Sequence, residues 1–264
     1  MSGRGPTVVA VLGLGEAGTA ISGDLVTAGV TVRGYDPAGG GPGGIIVTNS
    51  EADACTGADL VLSLTTAHES EAALRAALPG VGPAALFADL NTGSAGLKQR
   101  LAALAGQAGA AFADVAMMSP VPGRGIRTPM LVSGPAAGPV ADAINRLGGM
   151  AEVIAGPAGA AATRKLVRSV FYKGMAAAVV ESLRAARAAG CEAWLRGNIA
   201  AELAGASAAT LDRLEHGSLV HAVRRADEMA AATQLLDELG VPARISAASR
   251  DWLAQLAREG PPEG

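Results

Sequence analysis

Aromatic side chains make up 3 % of this 264-residue sequence and charged ones 17 %. So few aromatics leave little from which to build a base-stacking platform. The formal net charge is −3, so no basic field draws the chain to nucleic acid or to an anionic membrane surface. The two cysteines, Cys55 and Cys191, lie far apart and form neither a disulfide framework nor a metal-ligand spacing. Two reduced thiols in a cytoplasmic protein are the expectation. His216 and His221 are not four residues apart and have no Glu partner suited to zinc, so no metal is expected. No apolar run approaches the ~18–20 residues that span a bilayer. The first, residues 7–12 (TVVAVL), is too short for a signal-peptide core. With 50 % hydrophobic residues and little net charge, disorder is excluded as well.

What is abundant is Ala, followed by Gly at 36 residues. The core is therefore built from small aliphatic side chains, which suit close helix–sheet and helix–helix approach. In the first half, strand-like runs alternate with helical patterns. Strands are expected at 7–12, 30–35, 45–47, 60–64, 85–89, 111–115, 131–133 and 151–154, and helices at 16–28, 70–78 and 96–108. That alternation implies right-handed βαβ crossovers and a mainly parallel sheet. From 159 to 189 no strand signal appears, and a long Ala-rich helix is expected, with Gly190 as its stop. Gly174 inside it costs about 1 kcal/mol relative to Ala, which suggests close packing there. Further helices are expected at 192–203, 206–214, 220–239 and 245–258. The fold class is α/β: a Rossmann-type parallel sheet over 1–158, followed by an all-α domain over 159–264 and joined to it by the long helix. Ala-rich helices of this kind leave apolar faces that a second copy would cover, so a homodimer is expected.

Gly13-Leu14-Gly15-Glu16-Ala17-Gly18 is a G-x-G-x-x-G that follows a strand and opens a helix. The first Gly allows the tight turn, the second lets backbone approach a pyrophosphate, and the third lets helix pack on strand. The helix N-terminus offers N–H groups and partial positive charge to phosphates. Asp36 ends the second strand, where a carboxylate accepts ribose hydroxyls and repels a 2′-phosphate. No Arg or Lys follows closely, and strand alternation turns Arg33 away. NAD is therefore favoured, with NADP as the alternative. Thr65 and Thr66 lie at another strand end and are candidates for the ribose or phosphates. Asn91, Thr92 and Ser94 follow a further strand end, where open α/β sheets bind ligands, and are candidates for a substrate carboxylate.

The fingerprint, long helix and helical tail together resemble the β-hydroxyacid dehydrogenase superfamily, which includes 3-hydroxyisobutyrate and 6-phosphogluconate dehydrogenases. Asp89-Leu90-Asn91-Thr92-Gly93-Ser94 looks like its substrate loop. Residues 112–120 (FADVAMMSP) look like its F-x-D-A-P-V-S-G-G segment, with Ser119-Pro120 in place of Gly-Gly. Residues 159–165 (GAAATRK) look like the segment that carries its catalytic lysine. Residues 224–229 (RRADEM) and 239–241 (LGV) are similar to a C-terminal domain of unassigned function in phosphogluconate-dehydrogenase-like bacterial oxidoreductases. The resemblance implies hydride transfer between a nicotinamide and a small β-hydroxyacid or its carbonyl form, with Lys165 as general acid/base. Ser119 then falls in the substrate segment. The superfamily's Asn four residues after the lysine is replaced here by Ser169.

On a helix Lys165, Arg168, Ser169 and Tyr172 share one face. Two cations and two hydroxyls on one stripe of an otherwise apolar helix suit an anionic small-molecule substrate, with Arg168, Ser169 and Tyr172 binding it. An imine reductase on the same scaffold is the nearest alternative, and a non-catalytic dinucleotide-binding regulator is another.

Overall fold

The computed structural model describes residues 5–260. The chain divides into two compact units, Met1–Arg168 and Ser169–Gly264.

The first unit holds β1 (Val8–Leu12), α1 (Glu16–Thr27), β2 (Thr31–Tyr35), β3 (Ile46–Val47), α2 (Glu51–Cys55), β4 (Leu60–Ser63), α3 (Ser70–Ala77), β5 (Leu86–Asp89), α4 (Ala95–Gln107), β6 (Ala111–Met117), β7 (Pro129–Ser133), α5 (Ala137–Arg146) and β8 (Met150–Val153). The strands form one sheet in the order β3-β2-β1-β4-β5-β6-β7-β8. Every pairing is parallel except β6 with β7. The strand order reverses direction between β1 and β4, and ligands of open α/β sheets bind in the crevice at such a point. The central strands are buried on both faces. Val9, Val11, Leu60 and Leu62 pack with Ile21 and Leu25 of α1 on one side. Ala10, Leu12, Val61, Phe87 and Phe112 pack with Leu74 of α3 and Leu101 of α4 on the other. That explains strand runs that read as continuously apolar rather than alternating.

Two helices escaped the sequence reading. α2 is a single turn, too short to show a period, set by the Ser50 hydroxyl accepting from Asp53 N–H. α5 carries Gly138 and Pro139, which look like breakers. They lie in its first turn, where no N–H is needed for the helical ladder.

Register across the sheet places Tyr35, Leu12, Ser63, Asp89, Asp114 and Ser133 in one row, each beside the next on adjacent strands. Side chains in one row share one face of the sheet. The row lies at the carboxyl edge of β1, β4 and β5. From β1 to β6 it covers three steps of about 4.8 Å.

Helix α6 (Ala160–Ala188) contains the division between the units. The second unit continues with α7 (Glu192–Ala204), α8 (Ala208–Val220), α9 (Ala222–Glu238) and α10 (Arg244–Glu259). Within it, the Glu181 carboxylate accepts from the N–H groups of Ile245 and Ser246 and from the Ser246 hydroxyl, capping α10. Val170, Phe171, Trp194 and Val223 are each more than half exposed. Gly174 does not serve close packing within the chain: a Cβ there would meet no described atom within 4 Å. Among the described residues, no helix is long and apolar enough to cross a membrane.

Candidate functional site

The turn after β1 assigns a different task to each glycine. Gly13 has φ +93°, and a Cβ on it would stand 2.5 Å from the Leu64 carbonyl oxygen. Only glycine makes this turn against β4 without strain. A Cβ on Gly18 would lie 1.9 Å from the Gly13 carbonyl oxygen, so the third glycine lets α1 pack on the turn. At Gly15 a Cβ would meet nothing within 4 Å. Gly15 is exposed and is the N-cap of α1. Its space is open on the side where a phosphate would approach the helix N-terminus. Glu16 is exposed, Ala17 half-buried, and Leu14 buried beneath the turn.

A cavity of about 530 Å³ opens beside this turn, and Gly13, Gly15, Asp36, Thr65 and Thr66 all line it. Asp36 is already tied to the turn: its Oδ2 accepts from Leu14 N–H at 2.8 Å, and its Oδ1 accepts from Ala38 N–H at 2.8 Å. Glu51 and Glu69 also line the cavity, and among the described residues no Lys or Arg does. Arg33 is turned away, as alternation requires. Its guanidinium donates to the Asp53 and Ala54 carbonyls at the end of α2. The Thr66 hydroxyl accepts from Glu69 N–H.

Further along the carboxyl edge lies a cluster that the sequence reading missed. Asp89 and Asp114 are neighbours on β5 and β6, and like charges so placed repel. Lys98 of α4 settles the conflict. Its ammonium lies 2.7 Å from Asp89 Oδ2 and 3.0 Å from Asp114 Oδ1, and it donates to the Asp89 carbonyl at 2.9 Å. Its ammonium thus pairs with both carboxylates and donates a hydrogen bond to the carbonyl. Lys98 is 0 % exposed. Asp114 Oδ2 accepts from Gly159 N–H and Ala162 N–H, both at 3.0 Å, and from the Ser133 hydroxyl. Ser133 in turn accepts from Ala161 N–H. The first turn of α6 is thus capped by the sheet row. A signal was present in the sequence: Lys98, Leu101 and Ala105 fall on one helical face, and all three are buried.

Asn91 is also buried. Its side-chain amide donates to Asp89 and to the Ser63 hydroxyl. That leaves its Oδ1, an acceptor, as the atom without a hydrogen-bond partner. Thr92 is exposed. Ser94 is the N-cap of α4, its hydroxyl accepting from Leu97 N–H. Among the described residues, the buried Ser119 hydroxyl oxygen has no hydrogen-bond partner.

Lys165 stands one turn above the capped start of α6 and is half-buried. Burial pushes its ammonium below the ordinary lysine range, the Lys98 charge pushes it further down, and Asp114 pulls it back. Burial likewise pushes the Asp89 carboxyl up against the opposing pull of Lys98 and Asn91. Further along α6, Arg168 and Tyr172 are exposed and Ser169 is half-buried, with the Tyr172 ring edge-on to Phe171 at 5.1 Å. Among the described residues no group of three or more His, Cys, Asp or Glu could hold a metal.

Residues 186–256 match the model of a domain of unknown function, DUF1932. A probable 3-hydroxyisobutyrate dehydrogenase of Mycobacterium bovis is 38 % identical over 92 residues, which are 33 % of this chain and 31 % of that protein. The chain thus matches about a third of the length of this curated relative. Among solved structures, a conserved hypothetical protein from Sinorhizobium meliloti is 29 % identical, with TM-score 0.59 over 94 % of this chain and 87 % of that one. An imine reductase from Myxococcus stipitatus in complex with NADP+ is 19 % identical, with TM-score 0.80 over 96 % and 95 %. Its V8 variant in complex with NAD+ is 18 % identical, with TM-score 0.76 over 97 % and 94 %. Residues 186–256 therefore match the DUF1932 domain, a third of the chain is similar to a 3-hydroxyisobutyrate dehydrogenase, and the fold is that of the imine reductases.

Proposed function

We propose that this protein is an NAD(P)-dependent oxidoreductase that interconverts a small β-hydroxyacid and its carbonyl form, with Lys165 as general acid/base. One observation carries the reading. One sheet carries both a glycine turn left open at Gly15 and, at Asp114, the cap of the helix that bears a half-buried lysine held below its usual range.

The cavity beside the turn fits a dinucleotide. Gly15 leaves room for the pyrophosphate at the α1 N-terminus, Asp36 is suited to ribose hydroxyls, and Thr65 and Thr66 line the same cavity. When bound, the nicotinamide supplies the two-electron hydride acceptor or donor. Three carboxylates and no cation among the lining residues favour NAD over NADP.

In oxidation, the neutral amine of Lys165 takes the hydroxyl proton as the C–O bond becomes a carbonyl. In reduction, its ammonium returns that proton to oxygen. A pKa brought toward the working pH serves both directions. Asn91, Thr92, Ser119, Arg168, Ser169 and Tyr172 are assigned to substrate, with Arg168 suited to a carboxylate. The exposed apolar side chains of α6 and α7 support a homodimer. An imine reductase is favoured by the shared fold, whereas a protonatable lysine serves carbonyl chemistry directly.

The test is turnover of 3-hydroxyisobutyrate and related β-hydroxyacids with NAD+ and NADP+, beside cyclic imines with NADH and NADPH. β-Hydroxyacid oxidation with NAD+ supports the reading. Turnover of imines alone, or cofactor binding with no turnover, overturns it.

A further inference from the structure

We propose that Lys98 is the positioning residue for Lys165. Its ammonium locks Asp89 and Asp114 side by side, and Asp114 in turn fixes the first turn of the helix that carries Lys165. The proposal rests on the reading of Lys165 as acid/base and adds to it the device that sets that residue.

Lysine is scarce here. The chain has 18 arginines and three lysines: Lys98, Lys165 and Lys173. Two of the three meet in one electrostatic neighbourhood. At position 98 the compact ammonium has a use that a guanidinium lacks. It pairs with two carboxylates and donates to a carbonyl with no solvent contact. Asp114 is then a two-sided connector: Oδ1 faces the ammonium, and Oδ2 holds Gly159 N–H and Ala162 N–H. Lys165 lies three residues past Ala162, on the same helical face. A shift of Asp114 therefore moves the start of α6 and carries the Lys165 amine with it.

The cluster also matters electrically. The Lys98 charge pushes the Lys165 ammonium down more strongly than Asp114 pulls it back. The charged groups that act on Lys165 from other elements include Lys98 of α4 and Asp114 of β6. Arg164 and Arg168 flank it on its own helix. Asp89 lies beside Asp114 on β5.

The test reads Lys165 directly. With three lysines, side-chain NMR of the full-length protein labelled with ¹⁵N,¹³C-lysine gives three signals, assigned through Lys173→Arg and Lys165→Met. In the wild type, Lys165 titrates below the ordinary lysine range. The double variant Lys98→Met/Asp89→Asn keeps the net charge of the cluster and removes the ammonium. We expect its Lys165 titration to move to higher pH. With NAD+ and 3-hydroxyisobutyrate, kcat falls about tenfold to a hundredfold, the cost of a slightly misplaced group, and the pH limb moves the same way. Asp114→Asn keeps Lys98 and removes the opposing carboxylate, so Lys165 moves to lower pH while kcat falls. This variant decides the question if the double variant fails to fold. A structural role alone lowers the melting temperature and leaves the Lys165 titration where it was. That result in a folded variant overturns the proposal. Turnover retained in Lys165→Met instead overturns the functional reading and leaves the NMR result standing.

Discussion

Lys98 Nζ stands 3.0 Å from Asp114 Oδ1, and solvent reaches neither side chain. Removing one member of a buried ion pair costs about 3–5 kcal/mol, because the other charge stays buried and unpaired. Lys98→Met is accordingly expected to lower the stability of the first unit by that amount in chemical denaturation. Adding Asp89→Asn relieves one stranded carboxylate and recovers part of the loss. Equal losses in the single and double variants would contradict this account of the cluster.

The three glycines of the turn separate folding from binding. Gly18→Ala drives a methyl into the Gly13 carbonyl, and the expected cost is several kcal/mol. Gly15→Ala meets no protein atom, so its melting curve stays within about 0.5 kcal/mol of wild type. Its affinity for NADH falls at least about tenfold, equivalent to 1.4 kcal/mol. Fluorescence titration of NADH beside thermal melting checks both halves.

Cofactor choice is assigned to the acidic lining. Asp36→Ser keeps an oxygen acceptor for Leu14 N–H and removes the charge. Its ratio of NADPH to NADH affinity is expected to rise about tenfold, on the order of 1.4 kcal/mol. An unchanged ratio would mean that other residues set the preference.

Much of this was legible in advance. Residues 7–12 followed by G-x-G-x-x-G announced β1, its turn and α1, because Gly13 and Gly18 answer steric demands of that turn. The apolar runs at 60–64 and 85–89 announced buried parallel strands. The Lys98 cluster stayed hidden. Lysine is usually a surface residue, and Asp89 and Asp114 are 25 positions apart in sequence, so pairing of β5 with β6 is what makes them neighbours. Asn91 and Ser94 were located correctly as residues after a strand end. That the Asn91 amide turns inward and Ser94 caps α4 depends on tertiary contacts.

The two thiols differ. Burial pushes the Cys55 thiol up to about 12, with Glu51 adding to the rise, while Cys191 is exposed. A thiol reagent at pH 8 is expected to modify one cysteine quickly in the native protein and two after denaturation. Protection of both, or rapid reaction of both, would contradict the packing of α2.

Glu181 makes part of the second unit's stability depend on pH. Burial pushes its carboxyl up, yet the hydrogen bonds from the Ser246 hydroxyl and from backbone N–H groups of Ile245, Ser246 and Arg244 outweigh burial and hold it below the usual glutamate range. The folded value lies below the unfolded one. Its contribution is therefore present above the ordinary glutamate value and is lost as pH falls through the folded value. Glu181→Gln is expected to flatten that acid limb in pH-dependent melting. An unaltered limb would assign it to other groups.

The most direct measurement is single-turnover hydride transfer in Lys165→Met, with NADH binding measured on the same sample. NADH affinity is expected to stay within about twofold of wild type, a shift of under about 0.5 kcal/mol. Hydride transfer is expected to slow about a hundredfold to ten-thousandfold, the usual worth of a positioned acid/base, with the limb assigned to the amine absent from the pH profile. Transfer at the wild-type rate with an unaltered pH profile would contradict it.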